Sequence, residues 1–447
     1  MIPQTKINPP IRKNQMKFDP DQLFAIGKVN EGHSVFITGP AGTGKSSVTV
    51  EIIRRRLNSR ALKVCATTGV AALNLRDKLS SMFGEDVNTS TVYRWAGIGI
   101  GPKEGQSFDD YFKFMQSQGL HWQATMGRIK ATQILIIDEV SMLPGKILNF
   151  VDFVCKQVRG DDRPMGGIQV IAVGDFLQLP PVSKTGLYDW AFACDAWKSI
   201  NFRHVTLRQV HRQDDPDFIS VLNQFREGTV TKEGAAILKK RVAMFPAANV
   251  LRLFTHNVQV DKWNAYQLGT LETPEHVLMA ETSGNKYDVE FLKKNLITPE
   301  KLVLKVNARA MVTANLKDPK NLDGMLAANG EIGTVEAVQD DRVTLRLDNG
   351  KVIEIMHNTW KFDPSQKGTA EFWQFPLRLA WAATIHKSQG LTLDSALIDI
   401  RAAREPGQAY VAVSRVRSLQ GLLLKDWFAG LWVSPQAKEF HRAIARQ

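Results

Sequence analysis

Short apolar runs alternate with helical patterns through nearly the first half of the chain. Four of these runs have the length and flanking turns of buried strands, at residues 34–38, 61–67, 133–139 and 168–173. Segment 47–57 shows the contrasting helical pattern, because Val50, Ile53 and Leu57 fall on one face. Strands that alternate with helices predict a parallel sheet covered by helices on both faces.

The pattern changes in the second half. A strand at 250–254 and a helix at 258–268 continue the alternation. Short strands then crowd together at residues 303–312, 332–338, 343–347 and 352–356. Hairpin-type turns separate them, for example at Asn329 and Gly330, so we predict an inserted small β-barrel that ends near Phe375. The alternating pattern returns with strands at 395–400 and 421–425 and a helix at 408–417.

These changes of pattern divide the chain. Residues 1–18 read as a flexible leader and residues 19–206 as a first α/β core, with a small insertion at about 97–131. Residues 207–314 and 376–447 are predicted to form a second α/β core, and residues 315–375 the inserted barrel. The predicted fold is therefore α/β, with two cores built on parallel sheets.

A glycine-rich loop follows the first strand and opens the first helix. Residues 39–46, GPAGTGKS, fit the pattern G-x-x-x-x-G-K-[ST], whose backbone N–H groups turn inward around phosphate oxygens. Lys45 is expected to reach the β- and γ-phosphates, and the Ser46 hydroxyl to ligate Mg²⁺. The predicted cofactor-binding residues of the loop are Gly39, Pro40, Ala41, Gly42, Thr43, Gly44, Lys45, Ser46 and Ser47.

Two carboxylates end the third strand. Asp138 is expected to hold Mg²⁺, and Glu139 to orient and polarise an attacking water. Gln178 follows the fourth strand and is a candidate sensor of the γ-phosphate. Gln22 lies upstream of the loop, where an amide can pair with adenine, although the residues alone favour an exposed helix glutamine. Arg212 fits either a surface arginine or a finger that reaches the triphosphate.

Hydroxyl and aromatic residues flank the second strand and its neighbour. Small residues after Thr67 and Thr68 suit a close approach to a phosphodiester backbone, and they suit tight helix–sheet packing equally well. Tyr93 and Trp95, on either side of Arg94, fit base stacking or a place in the core. The residues themselves leave these alternatives open.

Charge favours a polyanionic partner. Lys and Arg number 57 against 45 Asp and Glu, a net charge of +12, which puts nucleic acid slightly ahead of a basic enzyme with a solvated surface. No apolar run approaches the roughly 20 residues of a membrane span, and no targeting signal is visible, so we predict a cytoplasmic protein without membrane partners. Cys65, Cys155 and Cys194 lack the spacing of a disulfide framework or zinc site.

Together these stretches resemble the petite-integration-frequency (Pif) family of superfamily-one DNA helicases, which is related to RecD-type and phage Dda helicases. The matching stretches come in the family's order and span nearly the whole chain. They are GPAGTGKS (39–46), ATTGVAALNL (66–75), TVYRWAGIG (91–99), IIDEVSML (136–143), GDFLQLPPV (174–182), LRQVHRQDDPDF (207–218), NGEIGTV (329–335), LAWAATIHKSQGLTLD (379–394) and AYVAVSRVRSLQGL (409–422).

The resemblance implies two RecA-like cores with ATP and Mg²⁺ in the cleft between them. It also implies a strand-separating wedge at about 97–131 and an SH3-like β-barrel at 315–375. The activity it implies is 5′→3′ translocation along single-stranded DNA coupled to unwinding, in replication, repair or recombination. The expected partners are single-stranded DNA and tailed duplexes. Forks, R-loops, G-quadruplexes and recombination intermediates stay open as physiological substrates, and protein partners are unknown.

The resemblance also implies roles for single residues. Gln22 matches the adenine-reading glutamine, and Gln178 the γ-phosphate sensor. Arg212 and Arg415 match two arginine fingers supplied by the second core, and Gly390 joins the cofactor-binding set. The positions expected to contact DNA are Thr67, Thr68, Thr91, Tyr93, Arg94, Trp95, His386 and Lys387.

Two positions of the stretch TVYRW depart from the family pattern, and Ala328 is a smaller departure from the usual valine. Tyr93 stands where the family often has histidine, and Arg94 where it often has serine. The Tyr93 ring can still stack on a base, and the Arg94 side chain can bind a phosphate. The alternative function is a single-strand-stimulated ATPase that moves along or clamps DNA without unwinding duplexes. A small-molecule phosphotransferase is disfavoured by the second core, the barrel and the basic charge.

Overall fold

The computed structural model describes residues 17–56, 61–83, 89–183, 185–242, 250–318, 321–362, 369–427 and 430–446. The leader predicted at 1–18 therefore lies almost wholly outside the described residues. No helix of the described ranges is long and apolar enough to cross a bilayer.

The first part of the chain alternates strands with helices. In chain order its elements are α1 (Pro20–Asn30), β1 (Val35–Thr38), α2 (Lys45–Arg54), β2 (Leu62–Ala66), α3 (Gly69–Phe83), β3 (Thr89–Thr91), α4 (Val92–Trp95), α5 (Phe108–Gln116), α6 (Leu120–Ala131), β4 (Ile134–Asp138), α7 (Gly145–Arg159), β5 (Gln169–Val173), α8 (Asp195–Ile200) and β6 (Arg203–Thr206).

The middle part is dominated by strands. Its elements are α9 (Pro216–Glu227), α10 (Lys232–Lys239), β7 (Arg252–Phe254), α11 (Asn257–Gly269), β8 (His276–Met279), β9 (Glu281–Ser283), α12 (Lys286–Asn295), β10 (Lys301–Leu304), β11 (Arg309–Val312), β12 (Leu316–Asp318), β13 (Asn321–Ala327), β14 (Ile332–Val338), β15 (Arg342–Leu347), β16 (Val352–Met356), β17 (Asn358–Lys361), β18 (Glu371–Gln374) and β19 (Leu377–Leu379).

The last part returns to the alternating pattern. Its elements are β20 (Ala382–Thr384), β21 (Ala396–Asp399), α13 (Gln408–Val413), β22 (Leu422–Asp426) and α14 (Pro435–Ile444).

Two parallel sheets form the two α/β cores. The first has the strand order β3-β2-β4-β5-β1-β6, with every neighbouring pair parallel. The second has the order β20-β7-β21-β22 and is also parallel. The predicted α/β class with two parallel-sheet cores is confirmed. The four strands expected in the first core are present, each slightly shorter at its ends, and two edge strands join them.

Antiparallel strands lie between the two halves of the second core. A five-stranded sheet has the order β16-β15-β14-β11-β19, and a three-stranded sheet has the order β17-β18-β9. The single strand expected at 303–312 is wrong, because β10 and β11 belong to different sheets. Asn307 has φ 71°, a left-handed conformation that turns the chain between them.

The last helix returns to the first core. Phe440 of α14 stacks on Phe192, with ring centroids 4.5 Å apart, and lies 6.0 Å from Phe36 of β1. Ala437 and Ile444 are buried in the same cluster. The domain limits stay a prediction, but this contact adds a packing connection between the end of the chain and the first sheet. No pattern in the sequence indicates it.

The inserted helices pack on the first core, and the three cysteines also lie there. α5 packs on α7 through Phe108, whose ring centroid is 5.0 Å from that of Phe150, and on α6 through Phe112, which is 5.2 Å from Trp122. The three cysteines of the chain are free, as the sequence predicts, and Cys65 is fully buried.

Candidate active site

The glycine-rich loop turns sharply at the end of β1. Gly39, Gly42 and Gly44 have φ of 148°, 84° and 81°, which L side chains rarely adopt. A Cβ on Gly39 would lie 2.4 Å from the Leu207 carbonyl oxygen, so the space also excludes a side chain. α2 begins at Lys45, and its free N–H groups therefore point into the concave side of the loop.

Lys45 folds back over this loop. Its Nζ donates to the carbonyl oxygens of Gly39 at 2.7 Å and Pro40 at 3.0 Å. Burial lowers the pKa of Lys45, while the carboxylates of Asp175 and Glu139 act in the opposite direction. The amine is thus held close to both carboxylates, at the place where the pattern expects phosphates.

Asp138 and Glu139 stand at the carboxyl end of β4, two strands away from β1. The Glu139 N–H donates to Asp138 Oδ1 at 2.9 Å. Burial raises the pKa of Asp138. Burial and the neighbouring Asp138 raise the pKa of Glu139 to about 7. A buried acidic pair of this kind favours a cation beside it, and the oxygens of Asp138 and Ser46 are the donor type that Mg²⁺ prefers.

Both candidate fingers lie in segments that the sequence assigns to the second core. The Arg415 guanidinium donates from Nε to the Val411 carbonyl at 2.9 Å and from a terminal nitrogen to Ser414 Oγ at 2.9 Å. Burial, and then Arg212, lower the pKa of Arg415 to about 9, whereas Glu139 opposes the shift. The structure therefore brings Arg415 near both Arg212 and the carboxylate of Glu139, the candidate catalytic residue.

Arg212 lies against the phosphate loop. A Cβ on Gly42 would be 2.9 Å from Arg212 Cβ, and the His211 N–H donates to the Gly42 carbonyl at 2.8 Å. The guanidinium donates to the Ser414 carbonyl at 3.2 Å. Of the two alternatives for Arg212, a free surface arginine is wrong: the residue lines the cleft.

Three contacts across the cleft were not foreseen. The Ala41 N–H of the loop donates to Tyr410 Oη at 2.7 Å. Gln389 Nε2 donates to Glu139 Oε2 at 3.2 Å. A Cβ on Gly407 would lie 2.4 Å from the Gln178 carbonyl oxygen. In the sequence, Gln389 lies in the stretch TIHKSQG and Tyr410 in the stretch AYVAVSRV, with Gly407 just before it. Their place in or beside these stretches was the available signal.

Gln178 is buried beside a charged cluster. Its N–H donates to the Asp175 carbonyl at 2.9 Å, and its exposed fraction is 5%. The Asp175 carboxylate pairs with Arg226 of α9 and lies 3.2 Å from His441 Nε2 of α14. Burial favours the neutral acid, yet Arg226 and His441 hold the pKa of Asp175 well below its ordinary value. Sequence reasoning missed this cluster.

Gln22 ties α1 to the loop. Its Nε2 donates to the Thr43 carbonyl at 3.1 Å, and its Oε1 accepts from the Asp19 N–H at 3.1 Å. The side chain is buried, so the expectation of an exposed helix glutamine is wrong. His211 Nε2 is 3.4 Å from the amide and 2.9 Å from Asp19 Oδ2. The amide is therefore placed at the rim of the loop.

The three threonines among the positions predicted to contact DNA also make hydrogen bonds within the protein. Thr67 Oγ1 donates to the Glu139 carbonyl at 3.0 Å. Thr68 Oγ1 accepts from the Ala71 N–H at 3.2 Å, and Thr91 Oγ1 caps α4 by accepting from the Arg94 N–H at 3.2 Å. All three hydroxyls therefore make hydrogen bonds within the protein, and Thr67 contacts the backbone of the candidate catalytic residue.

Trp95 lies in the core. It is 2% exposed, and its Nε1 donates to Thr132 Oγ1 at 3.2 Å. Base stacking by Trp95 is contradicted, because neither ring face reaches solvent. Tyr93 is half-buried. The Arg94 guanidinium lies 3.4 Å from the centroid of the Phe362 ring and donates to the Phe362 carbonyl at 3.3 Å. Phe362, just after β17, thus contacts Arg94, one of the positions predicted to contact DNA.

The remaining candidates share one turn. His386 Nε2 is 3.5 Å from Glu405 Oε2. Burial lowers the pKa of Lys387. Gly390 has φ 85°, and no atom lies within 4 Å of the position of a Cβ, so the left-handed backbone is the reason for glycine. Gln389 stands between Lys387 and Gly390. Its hydrogen bond to Glu139 connects this turn, which carries two positions predicted to contact DNA, to the candidate catalytic residue.

The sequence of this chain is similar to those of known proteins. The model of the PIF1-like helicase family matches residues 17–236. The ATP-dependent DNA helicase Pif1 of Bdellovibrio bacteriovorus is 34% identical over 432 residues, which cover 96% of this chain and 92% of the relative.

Solved structures extend the likeness to three dimensions. Pif1 of Bacteroides sp in complex with ADP-AlF4 is 29% identical, with a TM-score of 0.80 over 97% of this chain and 98% of that one. Bacteroides Pif1 bound to ssDNA is 30% identical, with a TM-score of 0.64 over 96% of this chain and 97% of that one.

Proposed function

This chain belongs to the PIF1-like helicase family, and we propose that it is an ATP-dependent DNA helicase that translocates 5′→3′ along single-stranded DNA and unwinds duplexes. The observation that carries the proposal is the cleft itself. The phosphate loop of the first core meets the second core directly, because the Ala41 N–H donates to Tyr410 Oη at 2.7 Å, and Glu139 lies close enough to Arg415 to influence its pKa. ATP hydrolysis in such a cleft responds to the relative position of the two cores.

Each group has a distinct part in hydrolysis. The loop N–H groups and Lys45 hold the phosphates, and Gln178 senses the γ-phosphate. Glu139 takes a proton from the attacking water. Arg212 and Arg415 stabilise the charge that develops on the transferred phosphoryl group. Gln22 and Gly390 line the rest of the nucleotide site.

Magnesium is proposed as the metal cofactor. Ser46 and Asp138 would hold it, because a hydroxyl and a carboxylate supply hard oxygen ligands. When bound, Mg²⁺ neutralises phosphate charge. Among the described residues no cluster of three or more His, Cys, Asp or Glu side chains forms a further metal site.

The DNA path is proposed along the rim of the cleft. Thr67, Thr68 and Thr91 line it from the first core, with Tyr93 and Arg94 beside them. His386 and Lys387 line it from the second core. A backbone-directed path of this kind binds strands with little sequence preference, and opening and closing of the cleft would shift one core along the strand.

The direct test is strand displacement with three duplexes that carry a 5′ tail, a 3′ tail or no tail. We expect ATP-dependent unwinding of the 5′-tailed duplex. Unwinding from the 3′ tail alone would overturn the polarity. ATP turnover stimulated by single strands, with no displacement of a paired strand, would favour the translocase or clamp. Adding forked and G-quadruplex substrates to the series would rank the physiological candidates.

Two variants test the chemistry. Glu139→Gln keeps the shape of the side chain but removes the base, so ATP binding should persist while turnover falls by about a hundredfold or more. Lys45→Ala should stop unwinding more completely than it weakens DNA binding. Lys198→Ala is the matched control, since Lys198 is exposed on the far helix α8. Normal turnover by Glu139→Gln would show that the assignment of the base is wrong.

A further inference from the structure

The backbone of Glu139 is held in an unusual conformation. Its φ is 52° and its ψ is 42°, a left-handed conformation that costs a residue with a Cβ about 1 kcal/mol. Three hydrogen bonds hold its main chain, one of which the Met142 N–H donates to the Glu139 carbonyl at 3.1 Å. Thr67 Oγ1 donates to the Glu139 carbonyl, and the Glu139 N–H donates to Asp138 Oδ1. With the main chain fixed at both ends, the orientation of the carboxylate depends on the contacts of the side chain.

One such contact comes from the second core. Gln389 Nε2 donates to Glu139 Oε2 at 3.2 Å. An N–H that occupies a carboxylate oxygen stabilises the anion and removes a lone pair from the reach of water. In this arrangement the carboxylate is tied to Gln389, so its orientation towards an attacking water depends on that hydrogen bond.

Gln389 lies in a turn that several hydrogen bonds hold together. The Ser388 N–H donates to the Thr384 carbonyl at 3.0 Å, and the Gln389 N–H donates to the His386 carbonyl at 3.2 Å. The Lys387 N–H donates to Thr384 Oγ1 at 3.2 Å. Consecutive turns joined in this way move together. A strand that pulls on the side chains of His386 and Lys387 therefore also moves Gln389.

We propose that Gln389 is a positioning residue that restrains the Glu139 carboxylate in the DNA-free enzyme, and that a single strand bound at His386 and Lys387 withdraws it. The inference rests on the proposed function, because it supplies the physical connection between DNA binding and ATP hydrolysis. Thr67 gives the connection a second point on the DNA path, since it holds the main chain of the same residue.

Steady-state ATP turnover with and without a saturating single strand tests the restraint. Gln389→Ala should raise the kcat without DNA by about tenfold, the size expected for one hydrogen bond to a charged group. The KM for ATP should change little, and the kcat with DNA should stay within about twofold. The ratio between the two conditions would then fall. A purely structural role would not raise the kcat.

Three further proteins sharpen the test. Gln389→Leu keeps the bulk of the side chain without the amide, and it replaces Gln389→Ala if that variant is poorly folded by thermal unfolding. Gln389→Asn keeps the amide but is one methylene shorter, so we expect it to behave like the alanine variant. Gln420→Ala is the control, because Gln420 is an exposed glutamine on the same core; its kinetics should match the wild type.

The possible results distinguish failure of the restraint by Gln389 from failure of the proposed coupling between DNA binding and ATP hydrolysis. If the DNA-free kcat of Gln389→Ala and Gln389→Leu stays at or below the wild-type value, the restraint is refuted and the helicase proposal stands. If the wild-type enzyme turns over ATP at the same rate with and without single strands, the proposed coupling to DNA fails, and this inference fails with it.

Discussion

Asp175 of the first core and Arg226 of the second form a two-point ion pair. Arg226 Nε lies 2.9 Å from Asp175 Oδ2, and a terminal nitrogen lies 3.0 Å from Oδ1. Asp175 is fully buried, and only 11% of the Arg226 side chain is exposed. His441 of the last helix contacts the same carboxylate. One buried charge thus joins three separate segments of the chain next to the nucleotide cleft.

Removal of one partner of this pair should destabilise the protein. Arg226→Ala leaves Asp175 buried without its main counter-charge, and we expect the free energy of unfolding to fall by about 3–5 kcal/mol. Urea unfolding followed by circular dichroism measures the change. Arg163→Ala is the matched control, because the Arg163–Asp161 pair is exposed and its loss should leave the midpoint unchanged. Equal midpoints for both variants would contradict a structural role for the pair.

The contribution of Asp175 should depend on pH. Its pKa is depressed in the folded protein, so its ion pair stabilises the fold above the unfolded-state pKa of about 3.9. That stabilisation is lost as the pH falls through the folded pKa. The difference in unfolding free energy between wild type and Asp175→Asn should be constant near neutral pH and shrink below about pH 4. A difference that grows in acid would show that the sign is wrong.

Arg415 should be needed for turnover rather than for DNA binding. Arg415→Ala removes a cation from the cleft, and we expect kcat for ATP to fall by about a thousandfold or more. Fluorescence anisotropy with a labelled single strand should show little change in affinity. Arg417→Ala is the control, because Arg417 lies two residues on and is 64% exposed. Comparable losses in both variants would remove the special role of Arg415.

Substitutions at Trp95 and at Tyr93 should affect different properties, the first the stability of the protein and the second its affinity for single-stranded DNA. Trp95→Ala creates a cavity in the first core and should lower the free energy of unfolding by about 3–5 kcal/mol, with unchanged single-strand affinity of the folded protein. Tyr93→Ala should instead weaken single-strand binding, since base stacking is worth about 1–3 kcal/mol per base. Loss of DNA affinity in a folded Trp95→Phe variant would reopen the stacking role.

Single-strand affinity should depend steeply on salt. Each phosphate neutralised by the protein adds about 0.7 to the slope of log K against log salt for single strands. Lys387→Ala should therefore reduce the slope by about 0.7, whereas Lys198→Ala, on the exposed surface of α8, should leave it unchanged. Affinity that is equal in dilute and physiological salt would contradict a path dominated by backbone phosphates.

Local patterns determined the elements and the chemistry of the cleft. The phosphate loop needs glycines at positive φ, so its sequence is recognisable wherever it occurs. Buried parallel strands need continuous apolar runs, and β1, β2, β4 and β5 all lie within the runs expected. The phosphate loop, Asp138 and Glu139 lie at the ends of β1 and β4 or at the start of α2, so local patterns are enough to place them.

Contacts between distant segments could not be read in the same way. Gln22 looks like an exposed helix residue until the loop folds against it, and Trp95 looks like a stacking residue until its burial is known. A hydrogen bond such as that between Gln389 and Glu139 joins residues 250 positions apart, and no local propensity encodes it.

The sequence alone therefore determined the fold class, the phosphate loop with its two carboxylates, and the family. The tertiary structure decided which residues meet across the cleft: Tyr410 on the loop, Gln389 on Glu139, and Arg226 on Asp175. The physical reason is that periodicity and turn chemistry act over a few residues, whereas partners for buried polar groups are chosen when whole cores pack together.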